Sequence, residues 1–167
     1  MCIRDSNMKN FNIFAKAALI FGLALAMSAC GKSKADVEVG SDNLVSFEET
    51  EKDFVGSCKK LAWPEGYEVP EHLDDVKDAN FEAGYGNTRA SQYWEAAWQE
   101  EWLNNYKTNP EKAKKALKEL EKATSMPYLG PDKCDDNTRK AFKDSLEKAK
   151  AGDPSGFEEN LKLNDPR

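Results

Sequence analysis

The chain has 167 residues and carries 24 Lys+Arg against 30 Asp+Glu, a formal net charge of −6. That length holds one domain and little more. The acidic balance argues against nucleic acid as a partner, because phosphate contacts need clustered Lys and Arg.

Residues 1–7 (MCIRDSN) have no apolar pattern and precede a better start, Met8. They are read as an artefact of sequencing or start assignment and left out of the fold, and Cys2 goes with them. From Met8 the chain reads as an export signal. Lys9 and Lys16 give a positive front, and residues 17–27 (AALIFGLALAM) form an uncharged apolar run of 11. That run is too short to cross a bilayer as a helix, which takes about 20 apolar residues. Small residues and a cysteine follow, Ser28-Ala29-Cys30. An ordinary cleaved signal with an incidental cysteine is one reading of this end.

The other reading rests on a resemblance. Met27-Ser28-Ala29-Cys30 resembles the lipobox of bacterial lipoproteins, whose usual form is Leu, a small residue, Gly or Ala, then Cys; Met27 stands where Leu is preferred. The resemblance covers residues 8–31. It implies cleavage before Cys30, a diacylglyceryl group on its thiol, and acylation of the new N-terminus. Two or more acyl chains give stable attachment where one is marginal. The membrane, reached through lipid on Cys30, is then the first expected partner, with the domain outside the cytoplasm on the cell membrane or outer membrane. Gly31 rather than Asp follows the cysteine, which in a two-membrane host implies the outer membrane. Residues 1–29 hold three basic side chains (Arg4, Lys9, Lys16) and one acidic (Asp5), so the mature chain has 21 basic and 29 acidic residues, a net of −8. Lipid, not a polybasic patch, is therefore expected to hold the membrane.

Residues 30–46 are polar and small and read as a tether of roughly 20 Å mean span. Residues 47–61 predict a first helix, with Phe47, Phe54, Val55, Cys58 and Leu61 on one face. Residues 62–86 contain Pro and Gly and no helical stripe. They predict a long loop with a short strand pair at 67–69 and 80–83, kept ordered by Trp63, Tyr67, Phe81 and Tyr85. Residues 87–107 give the clearest helix, with Asn87 or Thr88 as cap and Trp94, Trp98 and Trp102 every four residues. After Thr108, Asn109 caps a helix with Pro110 at its first position, running to about residue 124 and folding back as a hairpin. A Pro/Gly turn over 125–135 carries Cys134. Residues 136–151 predict another helix, Gly152 stops it, and a short last helix follows to residue 161. Cys58 and Cys134 are a well-separated pair, which in an oxidising compartment predicts a disulfide. Such a bridge would stabilise the fold by roughly 4 kcal/mol on the chain-entropy model. A metal pair lacks ligands, since His72 is the lone histidine. The expected fold is mainly α, a small bundle of four to five helices over 47–163 with a long irregular loop and one disulfide.

There is no Gly-x-Ser-x-Gly, no phosphate-cradling glycine loop and no HExxH. A serine or cysteine nucleophile wants a histidine base, and His72 sits in an acidic Pro-containing loop. Asp74-Asp75 and Asp135-Asp136-Asn137 lack the spacing of a calcium loop, and the second reads more simply as a helix cap. No cofactor is expected. On a helical wheel Glu101 and Asn105 fall beside Trp94, Trp98 and Trp102. Indole faces with a carboxylate and an amide suit a sugar or an amine. The competing reading, favoured in a small helical domain, is that the tryptophans are core and Glu101 lies at the edge, paired with Arg89, Lys77 or an indole N–H.

Trp63-Pro64-Glu65-Gly66-Tyr67, Gly84-Tyr85-Gly86 and Trp98–Leu103 resemble uncharacterised secreted proteins of actinobacteria, over residues 58–107. Those proteins pair a Pro-x-Gly loop with an aromatic helix ending in Glu-Trp-Leu, and the resemblance carries over no sites. The expected function is a non-enzymatic envelope lipoprotein whose helical domain contacts another envelope component, a protein or a cell-wall glycan. The alternative is a small-molecule or glycan-binding lipoprotein using the tryptophan face and the 62–86 loop.

Overall fold

A computed structural model describes residues 43–167. The leader, Cys30 and nearly all of the tether fall outside the described residues. The described elements are β1 (Leu44–Ser46), α1 (Phe47–Cys58), β2 (Asn80–Glu82), α2 (Tyr85–Asn105), α3 (Pro110–Glu121), α4 (Asp136–Lys150) and α5 (Ser155–Asn164). Two 3-10 turns, Lys122–Ser125 and Pro127–Leu129, link α3 to the loop before α4. The fold is mainly helical, with one small antiparallel sheet. Among the described residues no helix is long and apolar enough to cross a membrane.

Local chemistry sets most boundaries. Ser46 closes a capping box with Glu49 at the start of α1. Asn109 accepts the Lys112 N–H, and Pro110 occupies the first turn of α3. Asp135 accepts the Thr138 N–H at 2.9 Å and so caps α4, with Asp136 in the first turn. The start of α2 differs from expectation. Neither Asn87 nor Thr88 caps it; the helix begins at Tyr85 after Gly84, which stands at φ 84°. Its anion comes from another helix, because Asp53 of α1 accepts the Asn87 N–H at 2.8 Å.

The strand pair is also re-partnered. Asn80–Glu82 is a strand, but its partner is β1, in the register Leu44↔Glu82, Val45↔Phe81, Ser46↔Asn80. Residues 67–69 are not a strand. The end of the expected tether is thereby part of the domain.

Helix α2 is the axis of the fold. Its buried residues include Ala90, Tyr93, Trp94, Ala96, Ala97, Trp98, Gln99 and Trp102, which go nearly all round the helix. One apolar cluster joins its tryptophans to Ala116 and Leu120 of α3, Phe142 and Leu146 of α4, and Phe157 of α5. A second joins Phe54 and Cys58 of α1 to Leu73, Ala90 and Tyr93. Leu61 and Trp63 pack against both and so bridge them.

The expected Cys58–Cys134 staple is not there. Both cysteines are free thiols, and they belong to different neighbourhoods. Cys58 is buried in the second cluster, while Cys134 lies half-buried at the edge of the first. Beside the apolar packing of Phe54 on Tyr93, α1 is tied to α2 by polar contacts: the Asp53 cap, and the Asn87 amide, which donates to Ser57 Oγ at 3.1 Å. A well-separated pair and export chemistry predict a bridge only if the fold brings the two cysteines together.

Candidate functional site

The tryptophan face is core. Trp94, Trp98 and Trp102 are 2%, 1% and 2% exposed. The indole N–H groups of Trp94 and Trp98 both donate to the Ala62 carbonyl, at 2.8 and 2.9 Å, and fasten the long loop to α2. Trp102 stacks on Tyr106 at 4.6 Å and meets the edge of Phe157 at 5.3 Å. No indole face is left for a sugar or an amine, which corrects the ligand-binding assignment of these residues. Glu101 lies at the edge, 3.9 Å from Lys112 Nζ of α3, rather than near Arg89 or Lys77. The Asn105 amide is spent on the Glu101 carbonyl at 2.7 Å. His72 is 83% exposed and 3.6 Å from Glu51. Among the described residues, no three His, Cys, Asp or Glu side chains come together as a metal site.

A different side of α2 carries polar chemistry. Glu95, Gln99 and Gln92 face a cleft of about 600 Å³ walled by α4, α5 and the loop bearing Lys133, Cys134 and Asp135. Ala96, Leu129, Ala141, Phe142 and Leu161 give it an apolar lining. Gly156 lets α5 approach α4 closely; a Cβ there would stand 2.8 Å from Ser145.

Four side chains converge at the α2 wall. Tyr128, carried by the second 3-10 turn, donates its hydroxyl to Glu95 Oε2 at 2.6 Å. The Gln99 amide donates to Glu95 Oε1 at 2.8 Å, and the Asn160 amide of α5 donates to the same oxygen at 3.1 Å. Asn160 also donates to Gln99 Oε1 at 3.0 Å, and Asn164 donates to Asn160 Oδ1 at 3.0 Å. Glu95 keeps some exposure as a residue, but burial of its carboxyl group raises the pKa above the ordinary glutamate value. The hydrogen bonds from Tyr128, Asn160 and Gln99 favour the ionised form and offset part of that rise. Burial, then the Glu95 charge, pushes the Tyr128 phenol well above its usual value. The carboxylate has neutral donors on both oxygens and no cation among its hydrogen-bond partners.

The chain matches no family model, no curated protein and no solved structure.

Sequence reasoning passed over this site although a signal was present. With Trp94 at zero on the wheel, Glu95, Gln99, Gln92 and Thr88 fall together at about 100–160°. A carboxylate and an amide at i and i+4 sit next to the tryptophan stripe on the side that turns out to be walled. Tyr128 and Asn160 come from distant turns, and no local pattern announces them.

Proposed function

We propose that this chain is an exported lipoprotein, held on the envelope membrane by lipid on Cys30, whose helical domain non-covalently binds part of another envelope component in the Glu95 cleft. The observation that carries the binding half is a carboxylate desolvated at a cleft wall and held in fixed orientation by Tyr128, Gln99 and Asn160. Concave sites with an apolar lining and a few convergent polar groups are where small ligands bind. Recognition rather than catalysis fits the same network, because all three donors restrain Glu95 and no nucleophile–histidine pair accompanies it. The lipobox resemblance supports the anchoring half. Its motif ends at Cys30, at the head of the short stretch that leads into the described domain.

Two measurements test the halves separately. Labelled palmitate should enter the chain in its host and be lost in Cys30→Ser; an unlabelled chain with its leader intact would end the anchoring reading. For the cleft, the protein purified in mild detergent should gain thermal stability on addition of an envelope extract. Ala141→Trp, which fills the cleft from an exposed position, should abolish the gain. An equal gain in both proteins, or none in either, would refute binding at this place.

A further inference from the structure

We infer that the cleft selects a small organic cation, a protonated amine on an apolar body, with its charge seated against Glu95 and Tyr128. The inference rests on the proposal that the cleft is the binding site and names the class of its ligand.

A carboxylate offers about four acceptor positions. On Glu95, Oε1 takes two donors and Oε2 takes one, Tyr128. The vacant position is therefore on Oε2, next to a phenol oxygen whose own lone pairs meet no donor among the described residues. Gln99 Oε1 has a single donor as well. Around Glu95 the donors are committed: the Tyr128 O–H and the Gln99 amide to Glu95, and the Asn160 amide to Glu95 and Gln99. What this cluster has in excess is acceptors, and an ammonium brings only donors.

The charges around the cleft point the same way. From α2 comes Glu95, from α5 Glu159, and from the loop before α4 Asp135 and Lys133, while α4 itself contributes no charged side chain to the lining. Lys133 is engaged elsewhere, with its Nζ 2.6 Å from Glu82 and 3.3 Å from the Ala83 carbonyl. Asp135 is held by its cap bonds to Thr138. The cleft is thus acidic, with its one cation neutralised from outside, and an anionic ligand would meet repulsion at Glu95 and Glu159. The apolar patch from Ala96, Leu129, Phe142 and Leu161 lies within the same cavity and suits the body of the ligand.

Three probes of one chain length isolate the head group: hexylamine, hexan-1-ol and hexanoate. Each is titrated into the full chain in mild detergent at pH 8, with binding read by calorimetry and by amide shifts at Glu95, Gln99 and Asn160. Hexylamine should bind at least tenfold tighter than hexanol, with hexanoate weakest. Glu95→Gln should reduce the amine preference over hexanol to less than threefold. If that variant fails to fold, Glu159→Ala should weaken hexylamine more than hexanol. The amine affinity should also rise as pH increases through the Glu95 titration. Equal affinity of amine and alcohol, with shifts at the cleft, would overturn the cation inference and leave the cleft as a binding site. No cleft shift with any probe would overturn both.

Discussion

Gly86 provides a stringent test of the packing. It lies in the first turn of α2, where α1 crosses over it. A Cβ at Gly86 would stand 2.3 Å from the Thr50 carbonyl oxygen, 2.7 Å from the Phe54 nitrogen and 3.1 Å from Asp53 Cβ. An ordinary C···O approach is about 3.3 Å, so Gly86→Ala forces the helices apart by about 1 Å. Backbone atoms cannot rotate aside as a side chain could. Nor can α1 slide freely, because Phe54 is fully buried against Tyr93 at 5.7 Å and Asp53 and Ser57 are bonded to Asn87. Overpacking of this kind costs about 1–3 kcal/mol, and the gain in helix propensity returns at most about 1 kcal/mol. The expected net loss is about 1.5 kcal/mol.

Gly56 is the matched control. It lies inside α1, and a Cβ there meets nothing within 4 Å. Gly56→Ala adds the same methyl group and should stabilise by about 0.5–1 kcal/mol. Urea unfolding followed by far-UV circular dichroism separates the two. With a slope of about 1.5 kcal/mol/M, Gly86→Ala should lower the midpoint by about 1 M and Gly56→Ala should raise it by about 0.5 M. Equal shifts of the same sign, or a Gly86→Ala midpoint within about 0.2 M of the parent, would mean that α1 does not cross α2 at Gly86.

Three further outcomes are expected. Peptide mapping after iodoacetamide treatment should find Cys134 alkylated in the folded protein and Cys58 alkylated only in urea, because burial pushes the Cys58 thiol up to about 11; a Cys58–Cys134 linked peptide would contradict the fold. Iodide should quench only a minor part of the tryptophan emission, and Trp63→Phe should remove that part, since Trp63 alone of the four indoles is not fully buried; efficient quenching after that substitution would place the α2 tryptophans in solvent. Stability should fall as pH rises from the ordinary glutamate pKa, about 4.3, through the raised value of Glu95, because in that window the folded state holds a proton that the unfolded chain has released. Glu95→Gln should remove that slope. It should leave the separate acid loss from Asp135, Asp153 and Asp165, whose lowered values act as pH falls below the carboxylate range; an unchanged slope in the higher window would show that Glu95 is not desolvated.

Elements governed by neighbours in sequence were legible. The Asn109–Pro110 start, the Asp135 cap and the 47–58 helix follow from caps and periodicity, and each helix expected from periodicity is present with its ends shifted by a few residues. Features governed by neighbours in space were not. Asn80–Glu82 has the pattern of a strand, but nothing local says that Leu44–Ser46 rather than residues 67–69 pairs with it. The two cysteines have the count and the separation of a disulfide, and only the packing of α1 on Leu73 and Tyr93 shows that Cys58 faces other company. Tryptophan spacing gave a face without saying whether solvent or protein meets it, and the Ala62 carbonyl, which receives two indole N–H groups, decides for protein.

The same logic explains where the candidate site was hidden. A helix buried nearly all round has no single inward face, so choosing the polar residues nearest the tryptophans selects by proximity to the core. Glu101 and Asn105 satisfy that criterion and are each occupied locally, by Lys112 and by the helix backbone. Glu95 differs because its partners Tyr128 and Asn160 lie 33 and 65 residues away, so the cost of desolvating its carboxyl group is met by groups that the fold had to assemble. In a purely structural role a well-packed apolar residue would often be as stable as a desolvated acid held by three neutral donors at a cleft wall. That is a reason to expect a cationic ligand to complete the site, and the amine, alcohol and carboxylate series is the experiment in which it either shows or does not.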